Sequence, residues 1–435
     1  MTNVQKIGCV CTALLLTALT GCGGISQNDP NYASGDSALE TIATVPREGE
    51  ATAVQDDPLD PSDDPFGETL PEETEAAGGS GTIHFLAVGD DLLHTRVYQS
   101  AAAHAEDGED YNFYYCYQGV ADRVEEADLA FINQETVICN GEYEVCGSNL
   151  NFCSPDELGY QLIDIGFDIF NLSNNHILDK GADGMRACLD YWDARVAEND
   201  GLIVEGVYRD YQDMFDYRTT EVNGVTVGVL GYTDHTNGYS LPATSEMEIP
   251  YLNQTDLIER QIKELSEQVD CVVVSAHWGV EDTHTVSEDV KSIAKKMIEW
   301  GADVIIGTGP HTLQTMEYID RSDGTQGFVY YSLGNFISGQ TDSFNMVGGM
   351  ALFDIVKENG VTTIETPQLT PIITQYETGS LNDVRVIPYY DYTDDLIAAH
   401  GLPYSPWGTA KTWSRSVIET IIENNVPEEY RRLTR

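Results

Sequence analysis

The residues best suited to chemistry in this sequence fall at the ends of short apolar runs. Gly89-Asp90-Asp91, with His94 close behind, follows the run 83–88; Asn133-Gln134-Glu135 follows 129–132; Ser173-Asn174-Asn175-His176, with Asp179 beyond it, follows 169–172. Further on, His277-Trp278-Gly279-Val280-Glu281 follows 271–276, Gly307-Thr308-Gly309-Pro310-His311 follows 304–306, and Ser332-Leu333-Gly334-Asn335-Phe336 follows 328–331. Carboxylate, amide oxygen and imidazole in combination suit a divalent ion such as Mn, Fe or Zn, and two such ions can clamp a phosphoryl group or activate water. Glycine beside each polar residue lets the backbone turn sharply and approach a ligand. Any one of these motifs is as readily a turn or a helix cap. Their ordered recurrence is what points to a site.

The elements that would position them follow from the same pattern. From residue 82 onward, runs rich in Val and Ile alternate with helical patterns near 155–165, 184–198, 254–268 and 287–300, which predicts an α/β fold with a buried sheet. Polar residues at the strand ends of such a sheet converge on one crevice. Ser154 and Ser287 read as helix starts, Gly166 and Gly301 as stops. Asp91 reads as a hydrogen-bonding turn residue, His235 and His284 as loop residues, and Trp278 and Phe336 as packing beneath the crevice.

Taken together, Ala87-Val88-Gly89-Asp90, Asn133-Gln134-Glu135, Asn174-Asn175-His176 with Asp179-Lys180-Gly181, His277 to Glu281, Gly307 to His311 and Ser332 to Phe336 resemble the CapA family of capsule synthesis proteins, associated with poly-γ-glutamate capsules. The resemblance extends through most of 83–371. It implies a fold similar to the calcineurin-like metallophosphatases, a two-layer β-sandwich flanked by helices with a metal crevice at the strand ends. It assigns Asp90, His94 and His311 to a first divalent ion, Glu135 to a bridging position, and Asn175 and His277 to a second ion. His176 would serve as general acid, oriented by Asp179. Asn133, Glu281 and Asn335 would lie at substrate or supporting positions. One departure stands out: where the family has His-Pro-His, this chain has Gly309-Pro310-His311. The site would then hold one ion, or Glu281 or water would replace the missing imidazole.

Composition limits the partners. The 435 residues carry 72 Asp and Glu against 22 Lys and Arg, a formal charge of −50, which argues against a nucleic-acid partner. At the N-terminus Lys6 precedes an apolar run ending in Leu19-Thr20-Gly21-Cys22. The run has about 13 residues, short of the ~20 needed to span a bilayer, so residues 1–21 are expected to be a cleaved signal peptide. Cys22 resembles the lipidated cysteine of the bacterial lipobox. Residues 22–81, acidic and lacking apolar periodicity, are expected to form a disordered tether. The metallophosphatase-like domain is expected over 82–371, with 372–435 packed back on it and a helix near 409–424.

Beyond the leader the cysteines are Cys116, Cys139, Cys146, Cys153, Cys188 and Cys271, an even number in a compartment that permits disulfides. Cys139 and Cys146 flank the turn signal Asn140-Gly141-Glu142, which suggests a hairpin-closing bridge, and Cys116 is paired with Cys153 as the remaining guess. Cys271 is expected to be buried.

The expected protein is thus lipid-anchored at the extracytoplasmic face of the cell membrane through Cys22. It would assist assembly, export or attachment of poly-γ-glutamate or a related anionic polymer, alongside membrane synthase subunits. Two alternatives are a metal-dependent phosphoesterase of the cell envelope and a non-catalytic scaffold subunit of a polymer synthase.

Overall fold

The apolar runs become strands covered on both faces. A computed structural model of the protein describes residues 79–148, 151–377 and 383–435, so the expected leader, Cys22 and nearly all of the expected tether lie outside the described residues. In chain order the strands are β1 (Gly81–Leu92), β2 (Leu129–Asn133), β3 (Cys146–Gly147), β4 (Phe152–Cys153), β5 (Ile169–Asn171), β6 (Ile203–Glu205), β7 (Thr219–Val222) and β8 (Val225–Thr233). They continue as β9 (Cys271–His277), β10 (Val304–Thr308), β11 (Met316–Asp320), β12 (Gln326–Tyr330), β13 (Asn335–Ser338), β14 (Val347–Glu358), β15 (Val361–Gln375) and β16 (Arg385–Pro388). The helices are α1 (Thr95–Ala103), α2 (Tyr114–Tyr117), α3 (Ala121–Glu125), α4 (Glu157–Ile165), α5 (Gly181–Glu198), α6 (Thr255–Ser266), α7 (Glu288–Trp300), α8 (Asp394–Ala399) and α9 (Arg415–Asn425).

Two large sheets form an α/β sandwich flanked by helices. One has eight strands in the order β16-β15-β14-β1-β2-β5-β6, with β13 also on β1; the other has six in the order β11-β12-β10-β9-β8-β7. The strands that carry the polar motifs, β1, β2 and β5 in one sheet and β9 and β10 in the other, run parallel to their neighbours in that set. Residue alternation explains why these runs are uninterruptedly apolar. On β9, Cys271 and Val273 join the larger core, which includes residues of both sheets, while Val272 and Val274 join Ile258, Ile262 and Met297 of the flanking helices. Each fully buried Val or Ile contributes roughly 1.5–3 kcal/mol. The sheets meet through contacts such as Tyr330 on Phe353, ring centroids 6.0 Å apart.

Helix ends follow their caps. Ser287 accepts from the Val290 N–H at the start of α7, and Gly166 and Gly301 end α4 and α7 with φ of 115° and 124°. Ser154 does not start α4. Its hydroxyl is spent on Thr136, 2.6 Å away, and Asp156 precedes the helix instead. The C-terminal helix begins at Arg415, where the Ser414 hydroxyl accepts from Val417 N–H, rather than near 409.

The cysteine pairing differs from expectation, since all six described cysteines are free thiols. Cys146 lies opposite Cys153 in the β3–β4 register and its sulfur accepts from Lys180 Nζ at 3.0 Å, which turns it away from a Cys139 bridge. Cys116 is buried on α2. No helix among the described residues is long and apolar enough to cross a membrane.

One buried acid gives a testable pH effect away from the crevice. Glu205, 2% exposed at the end of β6, accepts from Tyr208 Oη and has Arg218 Nε 3.8 Å away, while its Oε2 has no hydrogen-bond partner. Burial outweighs the Arg218 charge and pushes its carboxyl up to about 8. The folded protein therefore holds a proton that the unfolded chain releases near pH 4.5, so this group's contribution to stability declines as pH rises toward 8. Glu205→Gln is expected to stabilise the protein by about 2–4 kcal/mol at pH 9 and by little at pH 4.5, read from denaturant melts at both values.

Candidate metal centre

Strand register sets the site. Asp90 lies opposite both Asn133 and Asn335, Asn133 opposite Asn171, and in the second sheet Thr308 opposite His277. Gly89 permits the tight packing behind Asp90: a Cβ there would stand 1.9 Å from the Gly334 carbonyl, which instead accepts from the Asp90 N–H at 3.0 Å.

A chain of amides then fixes the Asp90 carboxylate. Asn171 Nδ2 donates to Asn133 Oδ1 at 2.8 Å, and Asn133 Nδ2 donates to Asp90 Oδ1 at 2.8 Å. The Gly309 N–H points at both Asp90 oxygens, 3.2 and 3.3 Å away, and His311 Nδ1 bonds Oδ2 at 3.0 Å. Burial would raise the Asp90 carboxyl, but the His311 bond and the charges of His311 and His277 hold it below its ordinary value. His311 itself has a φ of 57°, an unfavourable left-handed conformation for a residue with a side chain. Its bond to Asp90 and the Asn345 Nδ2 bond to its carbonyl, 3.3 Å, keep it there.

At the centre is Glu135, fully buried, with neither carboxylate oxygen hydrogen-bonded. Its Oε1 faces Nε2 of His311 at 3.7 Å, of His277 at 3.8 Å and of His176 at 4.0 Å. Each ring is held by its other nitrogen: His277 Nδ1 by Thr308 Oγ1 at 3.0 Å, His176 Nδ1 by Asp179 Oδ2 at 2.9 Å, and His311 Nδ1 by Asp90. Burial, then the Asp90 charge, raises the Glu135 carboxyl well above its ordinary value. Burial pushes the His277 imidazole down to about 3, whereas for His311 the Glu135 and Asp90 charges outweigh burial and lift it to about 10.

This arrangement fits a cation. Ligand atoms bound to one ion at 2.0–2.2 Å stand roughly 3–4 Å apart, the spacing found around Glu135. A buried carboxylate with no donor is expensive, and a cation relieves that cost. Asp90, Glu135 and His311 offer ligand atoms all within 4.8 Å of one another, a buried group compatible with a metal site. Asn175 adds a buried Oδ1 with no partner, and it lines one small hollow with His277, Glu281 and Gly309. At Gly309 the φ is 103°, and a Cβ would stand 3.2 Å from His277 Nε2, so this backbone disfavours the histidine the motif would otherwise carry.

Other sequence-predicted residues take different places. His94 does not join the group: its Nδ1 accepts from the Gly339 N–H at 3.2 Å, and its ring stands edge-on to Phe152, which is in turn edge-on to His176. Burial pushes its imidazole down to about 3. Asn335 donates to Gln340 Oε1 and to the Asn345 carbonyl, and Asn133 supports Asp90. Asp91 accepts from Tyr117 Oη at 2.6 Å, and Trp278 Nε1 donates to the Tyr331 carbonyl beneath the crevice.

Sequence reasoning missed Asn171, Thr308, Phe152 and Asn237. Asn171 sits inside a run read as purely apolar, and Thr308 lies in the motif 307–311 without having been given a role. Asn237, whose Nδ2 lies 3.5 Å from His176 Nδ1 and whose Oδ1 lies 3.4 Å from Asn175 Nδ2, follows β8 and repeats the strand-end pattern.

Two sheets whose parallel strand ends gather buried carboxylates and imidazoles define an α/β protein with a buried side-chain group compatible with a metal. Over residues 84–340 the sequence matches the family described as "Bacterial capsule synthesis protein PGA_cap", and the chain belongs to that family. It is 31% identical over 202 residues to "Capsule biosynthesis protein CapA" of Bacillus anthracis, covering 46% of each chain. It is 32% identical over 226 residues to "PGA biosynthesis protein CapA" of Bacillus subtilis (strain 168), covering 48% of this chain and 54% of that one. The chain thus spans about half the length of these relatives. Among solved structures, a 5'-nucleotidase from Candida albicans aligns with a TM-score of 0.37 and 12% identity over 63% of this chain and 47% of that one. A hypothetical protein from Thermus thermophilus aligns at 0.38 and 15% over 66% and 99%.

Proposed function

We propose that the protein is a lipid-anchored, divalent-metal-dependent component of capsule or exopolymer synthesis. It works outside the membrane on poly-γ-glutamate or a related anionic polymer, aiding its assembly, export or attachment beside membrane synthase subunits. The observation that carries this reading is Glu135, whose buried carboxylate has no hydrogen-bond partner and whose Oε1 faces the Nε2 atoms of His176, His277 and His311 in a capsule-synthesis family member.

Glu135, Asp90, His311 and His277 would hold the ion, with Asn175 Oδ1 beside them; Mn, Fe and Zn all suit this donor set. When bound, such an ion supplies Lewis-acid polarisation of a carbonyl or phosphoryl oxygen and lowers the pKa of water. The chain's own residues supply the proton chemistry. Asp179 Oδ2 binds His176 Nδ1 and also accepts from the Phe152 N–H at 2.8 Å, so the imidazole is fixed in orientation with Nε2 toward the crevice. His176 is placed to donate a proton at Nε2 to a leaving group.

That His176–Asp179 pair also favours a second reading, a metal-dependent phosphoesterase of the cell envelope. Elemental analysis of the purified protein, followed by assays on γ-glutamyl polymer and on phosphodiesters with Mn²⁺ present, separates the two. Turnover or transfer of the polymer is the expected result. Turnover of phosphodiesters alone would replace the first reading by the second, and a metal-free protein that still supports capsule formation would leave only a scaffold.

The anchor rests on the lipobox-like Leu19 to Cys22. Cys22→Ala is expected to move the protein from the detergent phase to the aqueous phase on Triton X-114 partition of whole cells. Unchanged partition would overturn lipidation at Cys22.

A further inference from the structure

A cavity of about 610 Å³ adjoins the metal centre, walled in part by His94, Arg96, Asp282, Asn345 and Trp407. Its link to the centre is direct. Asn345 Nδ2 donates to the His311 carbonyl and to Asp282 Oδ1 at 2.9 Å, and the His94 ring packs on Phe152 against His176.

Arg96 is the unusual wall. Its Nη1 is buried with no hydrogen-bond partner, and among the described residues it forms no ion pair. By contrast, Arg321 takes Asp303 and Arg218 takes Asp213. In a chain with 72 acidic residues against 22 basic ones, a guanidinium left without a carboxylate is placed for one from outside. The Arg96 Cζ lies 5.0 Å from the centre of the Tyr376 ring and 5.9 Å from that of Trp407. These faces restrict the fork, and Nη1 keeps no hydrogen-bond partner. Trp407 remains 62% exposed, an apolar platform at the cavity mouth.

The acids in the cavity are already engaged. Asp342 Oδ1 accepts from the Thr409 N–H at 2.6 Å and from the Thr409 hydroxyl at 3.0 Å, and Asp282 accepts from Asn345. Both carboxylates are held by neutral donors, and Arg96 is the cation lining the cavity that takes neither of them as an ion-pair partner.

We propose that Arg96 and Trp407 form a subsite for a carboxylate carried on an aliphatic chain. In the reading of this protein as a component that acts on an anionic polymer, on which this inference rests, the ligand is the pendant carboxylate of a γ-linked glutamyl segment. Arg96 pairs with the carboxylate, and Trp407 covers the adjoining methylenes. The segment then lies beside His311, with its neighbouring linkage at the metal centre.

The test is calorimetric titration of the full-length protein in detergent with a γ-linked glutamate oligomer, with and without EDTA. Arg96→Gln is expected to weaken binding at least about tenfold, Arg96→Lys to weaken it less, and Trp407→Ala to weaken it severalfold. Bound metal is expected to be unchanged in all three, with melting temperatures reporting that each is folded. Equal affinity in wild type and Arg96→Gln, no binding by wild type, or Arg96-dependent binding of inorganic phosphate in preference to the oligomer would each overturn the subsite. The underlying functional reading fails separately. A protein without metal that still binds the oligomer through Arg96 loses the metal mechanism and keeps the subsite.

Discussion

Glu135→Gln is expected to strip the purified protein of most of its bound divalent metal while making the metal-free form more stable. The amide keeps the shape of the side chain but loses the charge that three imidazole nitrogens surround at 3.7–4.0 Å. Loss of an outer-sphere partner alone typically costs 10–100-fold in metal affinity, so loss of this central ligand should cost more than about 100-fold. The stability effect has the opposite sign. Without metal, Glu135 is buried beside Asp90 with no donor, and its folded-state carboxyl lies well above its ordinary value. Above the unfolded pKa the folded state binds more protons than the unfolded chain, so the metal-free protein loses stability as pH rises. Removing the charge should contribute about 1–3 kcal/mol at neutral pH, seen as a higher melting temperature in EDTA. Adding metal should raise the wild-type melting temperature and leave the variant unmoved. A purely structural Glu135 would give the reverse, with the variant less stable under both conditions.

His176→Ala should lower any turnover at the crevice by 10²–10⁴-fold while leaving most of the bound metal in place. The imidazole lies at the edge of the group, its Nε2 4.0 Å from Glu135 Oε1, and it is oriented through Asp179 rather than through Asp90. Asp179→Asn should give an intermediate loss. The amide can still accept from the Phe152 N–H but no longer stabilises a positively charged imidazole. A variant that keeps full turnover would remove His176 from the chemistry. One that loses metal and turnover together would make it a ligand instead.

The candidate group around Glu135 was legible as a set of strand ends. Asp90, Glu135, Asn175, His176, His277 and His311 could be picked out because each ends an apolar run, and the parallel register of β1, β2, β9 and β10 does bring such ends together. His94 stands outside the group that Asp90, Glu135 and His311 form, since proximity in sequence to Asp90 says nothing about ring direction once the chain turns into α1 and Gly339 takes its Nδ1. The amides that hold the site, Asn133 and Asn171, were hard to weigh because their value lies in a chain of hydrogen bonds between strands. The largest omission in the fold is the β14–β15 hairpin, where Pro367 and Pro371 disguise a strand and partial exposure of β15 weakens its apolar pattern. Its turn was nevertheless written in Asn359-Gly360, both with positive φ, the strongest short hairpin signal available. Side-chain pairing of cysteines was not legible at all, since register placed Cys146 against Cys153 rather than Cys139.

The central claim is that Glu135 and the imidazoles around it bind a metal ion. Anomalous diffraction from crystals of the purified protein, collected at the absorption edge of the metal that elemental analysis finds, tests it most directly. The expected peak lies about 2.0–2.3 Å from a Glu135 oxygen and from Nε2 of His277 and His311. A crevice with no such peak, in which Glu135 is instead hydrogen-bonded to a protonated histidine, would contradict it.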